Sequence, residues 1–178
     1  MDSIQRWAPA SVLHGPVSGN LTDSNLEGVD LINATLNTAT LTGANLSSAT
    51  LAGVSSGGIT GTPVALPVQW SLVNGYLVGA GANLTNANLA NANLANTHLN
   101  NATLSGANLS GATVTDVQLV QANLTNANLA NANLTNANLS NSVLIGTTVT
   151  GITWSSTTCP DGTNSASYSP QTCVGHGM

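Results

Sequence analysis

Side chains able to do acid–base, nucleophilic or metal chemistry are few in this sequence. They are three histidines (His14, His98, His176), two cysteines (Cys159, Cys173) and six acids (Asp2, Asp23, Glu27, Asp30, Asp116, Asp161). Acid–base catalysis by carboxylates needs two of them placed together. A hydrolytic triad needs a nucleophile, a histidine and an orienting acid at compatible positions. Neither arrangement can be found. Ser and Thr are abundant, but none stands at a readable spacing from a His–Asp set. Gly79-Ala80-Gly81 is followed by no lysine, so it is not a phosphate loop. The sequence therefore predicts no enzyme and no cofactor.

Cys159 and Cys173 flank a stretch rich in Pro, Gly and Ser. A disulfide between them is the simplest reading. Closing such a loop stabilises a fold by roughly 3 kcal/mol on the chain-entropy view. A metal site is the alternative, but two cysteines with distant histidines do not make a zinc pattern. Asp161 and Asn164 hint at a calcium loop, yet an all-oxygen site needs more carboxylates. No metal is expected. A disulfide points to an oxidising compartment. The first residues, "MDSIQRWAPASVLHGP", lack the basic and apolar regions of a signal peptide. The conflict resolves toward an exported, periplasmic or cell-surface protein made as a longer precursor, with a cytoplasmic location as the alternative.

The elements that hold these residues follow from a repeat. Leu recurs every five residues from Leu21 to Leu51, seven times. A second series runs Leu84, Leu89, Leu94, Leu99, Leu104, Leu109, Val114, Leu119, Leu124, Leu129, Leu134, Leu139, Leu144, Val149 and Trp154. Two residues before each stands a small residue, as in Ala82, Ala87, Ala92, Ala102 and Ala107. The unit is A-N-L-x-x. On an α-helix a step of five turns the Leu by about 140°, smearing it around the cylinder. On one flat strand successive Leu face opposite sides. The period closes if the chain bends after each unit, so that four units make one square turn with the small residue and Leu inward. Coils then stack about 4.8 Å apart.

Residues twenty apart then form columns. Leu84, Leu104, Leu124 and Leu144 make one. Leu89, Leu109, Leu129 and Val149 make the next, and Leu94, Val114, Leu134 and Trp154 the third. Leu99, Leu119 and Leu139 make the fourth. Leu109→Asp is expected to collapse its coil by burying an unpaired charge. The residue before each Leu stacks too, as Asn88, Asn108 and Asn128, and these amides are expected to hydrogen-bond along the stack. Asn86, Asn91 and Asn96 fall at the bends, where Asn tolerates left-handed backbone. His98 occupies one of the ladder positions and is read first as a substitute for Asn. The N-x-S/T sequons, such as Asn83-Leu84-Thr85, are by-products of the repeat.

The unit resembles the pentapeptide-repeat family, whose motif is a small residue, Asp or Asn, Leu or Phe, a polar residue and Gly. Residues 19–53 and 82–156 carry it. The resemblance implies an all-β fold, a right-handed quadrilateral parallel β-helix with four pentapeptides per coil. Some members of the family resemble a B-form duplex and bind DNA gyrase through an acidic surface. Here the outward positions are Asn, Ala, Thr, Ser and Gly, which disfavours a topoisomerase-binding role.

Only 4% of residues are charged, with a net charge of −5 and a single basic residue, Arg6. Such a chain cannot neutralise a phosphate backbone, so direct nucleic-acid binding is not expected. No apolar run approaches the roughly 20 residues of a spanning helix, so no membrane insertion is expected either. No small-molecule ligand is expected. The remaining partners are another protein or a second copy of the chain, in a homo-oligomer or filament joined by ends or sides. A regular Thr/Asn/Ser surface suited to ice or a glycan is a further reading.

Leu51 and Leu84 are out of phase with each other. Between them lie Gly57-Gly58, Pro63, Pro67, Asn74-Gly75 and Gly79, all breakers or turn signals. This interruption resembles ones found in bacterial members of the family. The expected organisation is a cap at 1–18, an array at 19–54, an insertion or distorted coil at 55–81, an array at 82–156 and a cap loop at 157–178, all in one solenoid domain. Candidate contact residues are Trp70 and Tyr76 on the insertion, His98 in the repeat, and Val120 and Ile145 at outward positions.

Overall fold

The computed structural model describes residues 12–13, 15–17, 19–167 and 172–177. His14 lies outside them. Almost every pentapeptide contributes one bridging residue, the one before the Leu, and almost every bridge joins residues about twenty apart in parallel. Four ladders run through the second array: Asn83–Thr103–Asn123–Val143, Asn88–Asn108–Asn128–Thr148, Asn93–Thr113–Asn133–Thr153 and His98–Gln118–Asn138–Thr158. Four ladders per twenty residues make a four-sided coil. One side is held to the next by three hydrogen bonds. Leu89 N–H donates to Asn108 C=O (2.8 Å), Asn91 N–H to Ser110 C=O (2.9 Å) and Asn108 N–H to Ala87 C=O (2.9 Å).

The corners explain the rest of the repeat. Ala87 N–H donates to Leu84 C=O at 3.0 Å, closing a tight turn over Thr85 and Asn86. Asn86 has φ +57°, and the same position is positive in Asn91, Asn96, Asn101, Gly106 and Gly111. A turn with positive φ at its third residue favours Gly or Asn. At two corners Asn and Gly alternate up the stack. The Oδ1 of Asn86 stands where a Cβ on Gly106 would be, at 2.3 Å, and Asn126 does the same over Gly146 at 2.3 Å.

Ala and Leu fill the interior. The twelve Leu of the second series and Trp154 are at most 6% exposed, and Ala82, Ala87, Ala92, Ala102 and Ala107 are at most 4%. The small residue lets the backbone approach the core, and Leu fills the width. Val149, which shares the inward register, is only half-buried.

The amide ladder differs from the expectation. The Asn before each Leu spends its side-chain oxygen on the N–H two residues on, as Asn123 does with Thr125 (3.0 Å) and Asn133 with Thr135 (3.1 Å). Amide-to-amide bonds between coils are fewer: Asn128 to Asn108 at 3.4 Å and Asn138 to Gln118 at 3.2 Å. The local Asx turn wins because it is fixed by chain geometry within three residues.

The first array builds the same coil, and its ladders begin at Val12 and Pro16. They continue through Ser55, Thr60 and Ala65, where the Leu marks have faded. The stack then breaks. Ser55 bridges Asn83, 28 residues on instead of 20, so eight additional residues are inserted at this level. They are taken up by a hairpin of β1 (Ser71–Val73) and β2 (Tyr76–Val78), with Ser71 opposite Val78 and Val73 opposite Tyr76. Its two-residue turn, Asn74-Gly75, has φ +50° and +79°, the geometry that suits the right-handed twist of a hairpin.

The hairpin is a septum between two hydrophobic cores. Leu72 and Leu77 pack on the core of the first array, while Val73, Tyr76 and Val78 pack on that of the second. Alternation along a strand puts these sets on opposite faces. Trp70 touches both cores. Its ring lies on Gly79, where a Cβ would meet ring carbon Cδ2 at 2.2 Å.

Candidate interaction surface

The disulfide joins Cys159 and Cys173, both fully buried. It folds the cap back on the last coil. Asn164 bridges Thr158 in antiparallel sense, whereas the solenoid ladders below it are parallel. Ser165 is buried within this cap. Its backbone N–H donates to Thr157 C=O (2.8 Å), and its hydroxyl accepts from Thr157 N–H (2.9 Å) and donates to Trp154 C=O.

Asp161 and His176 meet in the cap, with Nδ1 and Oδ2 3.2 Å apart. The hydroxyl and backbone N–H of Thr163 both donate to Asp161, at 2.6 and 2.9 Å. These bonds first, and His176 after them, hold the Asp161 carboxyl below the usual carboxylate range. Among the described residues no group of three or more His, Cys, Asp or Glu could hold a metal ion. No helix among them is long and apolar enough to cross a membrane.

The candidate contact residues do not converge. Trp70 and Tyr76 are half-buried in the septum, and the Tyr76 hydroxyl accepts from Asn88 N–H at 3.1 Å, standing in for a missing strand. His98 is half-buried on the fourth ladder, in the first coil above the septum. Val120 is half-buried on that ladder's side. Ile145 is 68% exposed on the outermost coil.

Two open backbone edges emerge that the residue pattern did not flag. At the outermost coil the N–H groups of Leu144, Gly146, Val149 and Gly151 find no acceptor among the described residues. Their equivalents one coil down, Leu124, Asn126, Leu129 and Asn131, all donate upward, at 2.7 to 2.8 Å. Val143 and Ile145, 41% and 68% exposed, border this edge. The columns beneath them hold Asn or Thr, and Thr or Ser. The second edge is internal, beside the septum. A sequence signal for both existed: each lies where the five-residue pattern changes its residue types.

A family model described as pentapeptide repeats, in eight copies, matches residues 20–55, 80–116 and 118–153, more than half of the chain. No curated protein matches. Among solved structures, HetL from the cyanobacterium Nostoc sp. strain PCC 7120, described as involved in heterocyst differentiation regulation, aligns at 20% identity. That alignment covers 88% of this chain and 91% of HetL, with a TM-score of 0.38. Rfr23 from the cyanobacterium Cyanothece 51142 aligns at 21% identity over 84% of this chain and 82% of its own, with a TM-score of 0.35. QnrB1, a plasmid-mediated fluoroquinolone resistance protein, aligns at 15% identity over 83% and 80%, with a TM-score of 0.39. At these values the likeness carries no argument about activity.

Proposed function

We propose, from the premise that the chain belongs to the pentapeptide-repeat family, that it is a non-enzymatic interaction solenoid that associates with itself end to end. The coil sense is right-handed and the protein works at the cell surface or in the periplasm, where its disulfide is maintained. The observation that carries the reading is the outermost coil. Its N–H groups at Leu144, Gly146, Val149 and Gly151, which find no acceptor among the described residues, are bordered by Val143 and Ile145, where lower coils are polar. An open strand edge with apolar side chains is a template for another chain. Sedimentation velocity over a range of concentrations tests it. The native chain should form larger species, and Ile145→Lys should shift them to monomer. A strictly monomeric native particle at high concentration refutes the reading.

A second reading has its own observation. Asn20, Thr40 and Thr60 form one file on a face of the first array, and Thr22, Thr42 and Thr62 stand two residues on from each. The Thr40 and Thr60 hydroxyls are 3.2 Å apart. A regular hydroxyl array of this kind suits a repetitive ligand such as ice or a glycan. A thermal-hysteresis assay tests the ice version, and a flat response removes it.

A further inference from the structure

The first coil of the second array, residues 82–101, is met from below by hydrogen bonds on three of its four sides, the His98 side through Gly81 N–H, which donates to Asn100 C=O (2.8 Å). Asn83 N–H donates to Val54 C=O (3.0 Å), and Asn88 N–H to the Tyr76 hydroxyl (3.1 Å). Asn93 N–H, on the remaining side, and His98 N–H find no acceptor among the described residues. One coil higher the equivalent groups are all used: Thr113 N–H donates to Ala92 C=O (2.9 Å) and Gln118 N–H to Thr97 C=O (3.0 Å). The carbonyls follow suit. Those of Thr113, Thr115 and Gln118 accept from Leu94, Asn96 and Leu99. Among the described residues those of Asn93, Ala95 and His98 receive no such bond.

The segment that should close this edge surrounds Ala65. Ala65 lies 28 residues before Asn93, as Ser55 lies 28 before Asn83. Ser55 and Asn83 bridge, and Ala65 and Asn93 do not. Pro63 and Pro67 flank Ala65 and have no N–H to give. The septum fills the core between the two arrays with side chains and its exit at Gly81 reaches the His98 side, but among the described residues no backbone N–H reaches the carbonyls of Asn93 and Ala95 from below. Val64 and Val68 on the lower lip are 71% and 89% exposed, the highest values among the exposed large apolar residues described.

We propose that this internal edge docks an extended peptide segment of a partner protein, pairing in parallel with Asn93 and Ala95 beneath the solenoid coil. The inference rests on the reading of the chain as an interaction scaffold and names a partner class for it. The edge offers the donor–acceptor set that every higher coil satisfies with a parallel strand, so a strand is the occupant that completes it. The segment is uncharged, because the ladder residues at the edge are Asn and His with Ala between them, and a charge buried there would lose its water without a counter-ion. Its apolar side chains face Val64 and Val68.

The test is amide NMR on the full isotope-labelled chain, titrated with a blocked octapeptide of the sequence of residues 90–97, Ala-Asn-Ala-Asn-Leu-Ala-Asn-Thr. That strand is the one Thr113 pairs with in the native stack. Before peptide, the Asn93 and His98 amides should exchange with solvent at least tenfold faster than those of Thr113 and Gln118. With peptide, Asn93 and His98 should shift saturably and their exchange should slow. Asn93→Pro removes an N–H that no acceptor among the described residues uses, but also the Oδ1 that accepts Ala95 N–H (3.1 Å), so the urea midpoint should fall modestly with the fold kept while the peptide shifts vanish. A peptide with Pro in place of its Leu gives the same control without altering the protein. Exchange at Asn93 and His98 as slow as at Thr113, no shifts up to millimolar peptide, or shifts confined to Leu144–Gly151 would each overturn the proposal. Failure of self-association would appear at Val143 and Ile145 in sedimentation and leave this readout untouched.

Discussion

Gly106 tests the physical basis of the corner. Its φ is +68°, and the Oδ1 of Asn86 occupies the position its Cβ would take, 2.3 Å away. Two terms act on Gly106→Ala. Left-handed backbone costs an L residue roughly 1–2 kcal/mol. The stiffer unfolded chain returns about 0.4–1 kcal/mol. The steric term is smaller, because Asn86 meets the new methyl only with the end of a flexible side chain. Another corner shows that polar side chains stack there without a glycine: Asn136 Nδ2 donates to Asp116 Oδ1 at 3.1 Å. Gly106→Ala should therefore destabilise by about 1 kcal/mol. Gly106→Asn should stay within about 0.5 kcal/mol, because Asn tolerates this conformation. Gly106→Val, β-branched at positive φ, should lose about 2–3 kcal/mol. Urea unfolding reads the series: for a slope near ~2 kcal/mol per molar, Ala moves the midpoint by about 0.5 M. Asn86→Gly in the Ala background should recover only the steric fraction. If Asn is as damaging as Ala, the φ argument fails. If Asn86→Gly restores full stability, contact rather than backbone conformation governs the corner.

Gly79→Ala should destabilise by about 1–3 kcal/mol through overpacking against the Trp70 ring, and near-ultraviolet circular dichroism should report the displaced indole. Reducing the Cys159–Cys173 bridge, which spans 14 residues of sequence, should weaken the cap by about 3 kcal/mol. Hydrogen exchange should then rise at Thr157 and Ser165 and not at Leu109, since a solenoid yields locally. Asp161 has a folded pKa lowered by Thr163 and His176, so its contribution is complete above the ordinary carboxylate range and lost as pH falls through the folded value. Acidification below that range should loosen the cap, read as faster exchange at Thr163, and Asp161→Asn should flatten that dependence.

The parts of the fold that obey the period could be read from residue order alone. Five-residue spacing of Leu with Ala two before it admits few folded solutions, and Asn or Gly after each unit marks a corner with positive φ. Where the marks fade, order alone fails. Ser55, Thr60 and Ala65 keep their ladder places, but the inward positions beside them hold Ser56, Gly61 and Leu66, so only the first and last steps of that path are visible as a pattern. Ser56 is buried and accepts Leu77 N–H at 2.8 Å, an interaction made by a hairpin more than twenty residues away. No local rule anticipates it. The Asn side chains pose a related problem: a stacked amide ladder and a local Asx turn use the same residue at the same spacing, and only geometry separates them.

Specific recognition can reside only where the repeat is interrupted. Each side of a regular coil repeats its chemistry every twenty residues, so it presents one surface many times over and singles out no position. Backbone groups there are already consumed by the coils above and below. Position-specific chemistry appears only where the ladder stops. Tyr76 lends a hydroxyl to an orphaned N–H at one break, His98 has an N–H without an acceptor among the described residues at the same break, and Ile145 borders the other. Val120, on a continuous side, has its N–H held by Asn100 Oδ1 at 3.0 Å and lies amid paired backbone. A substitution at Val120 should therefore leave binding unchanged, while one at Ile145 or Asn93 should not. A scan of contact effects along the chain should show two narrow maxima, at the septum and at the outermost coil. A uniform profile along the sides would mean that the repeated surface, and not its interruptions, is what partners recognise.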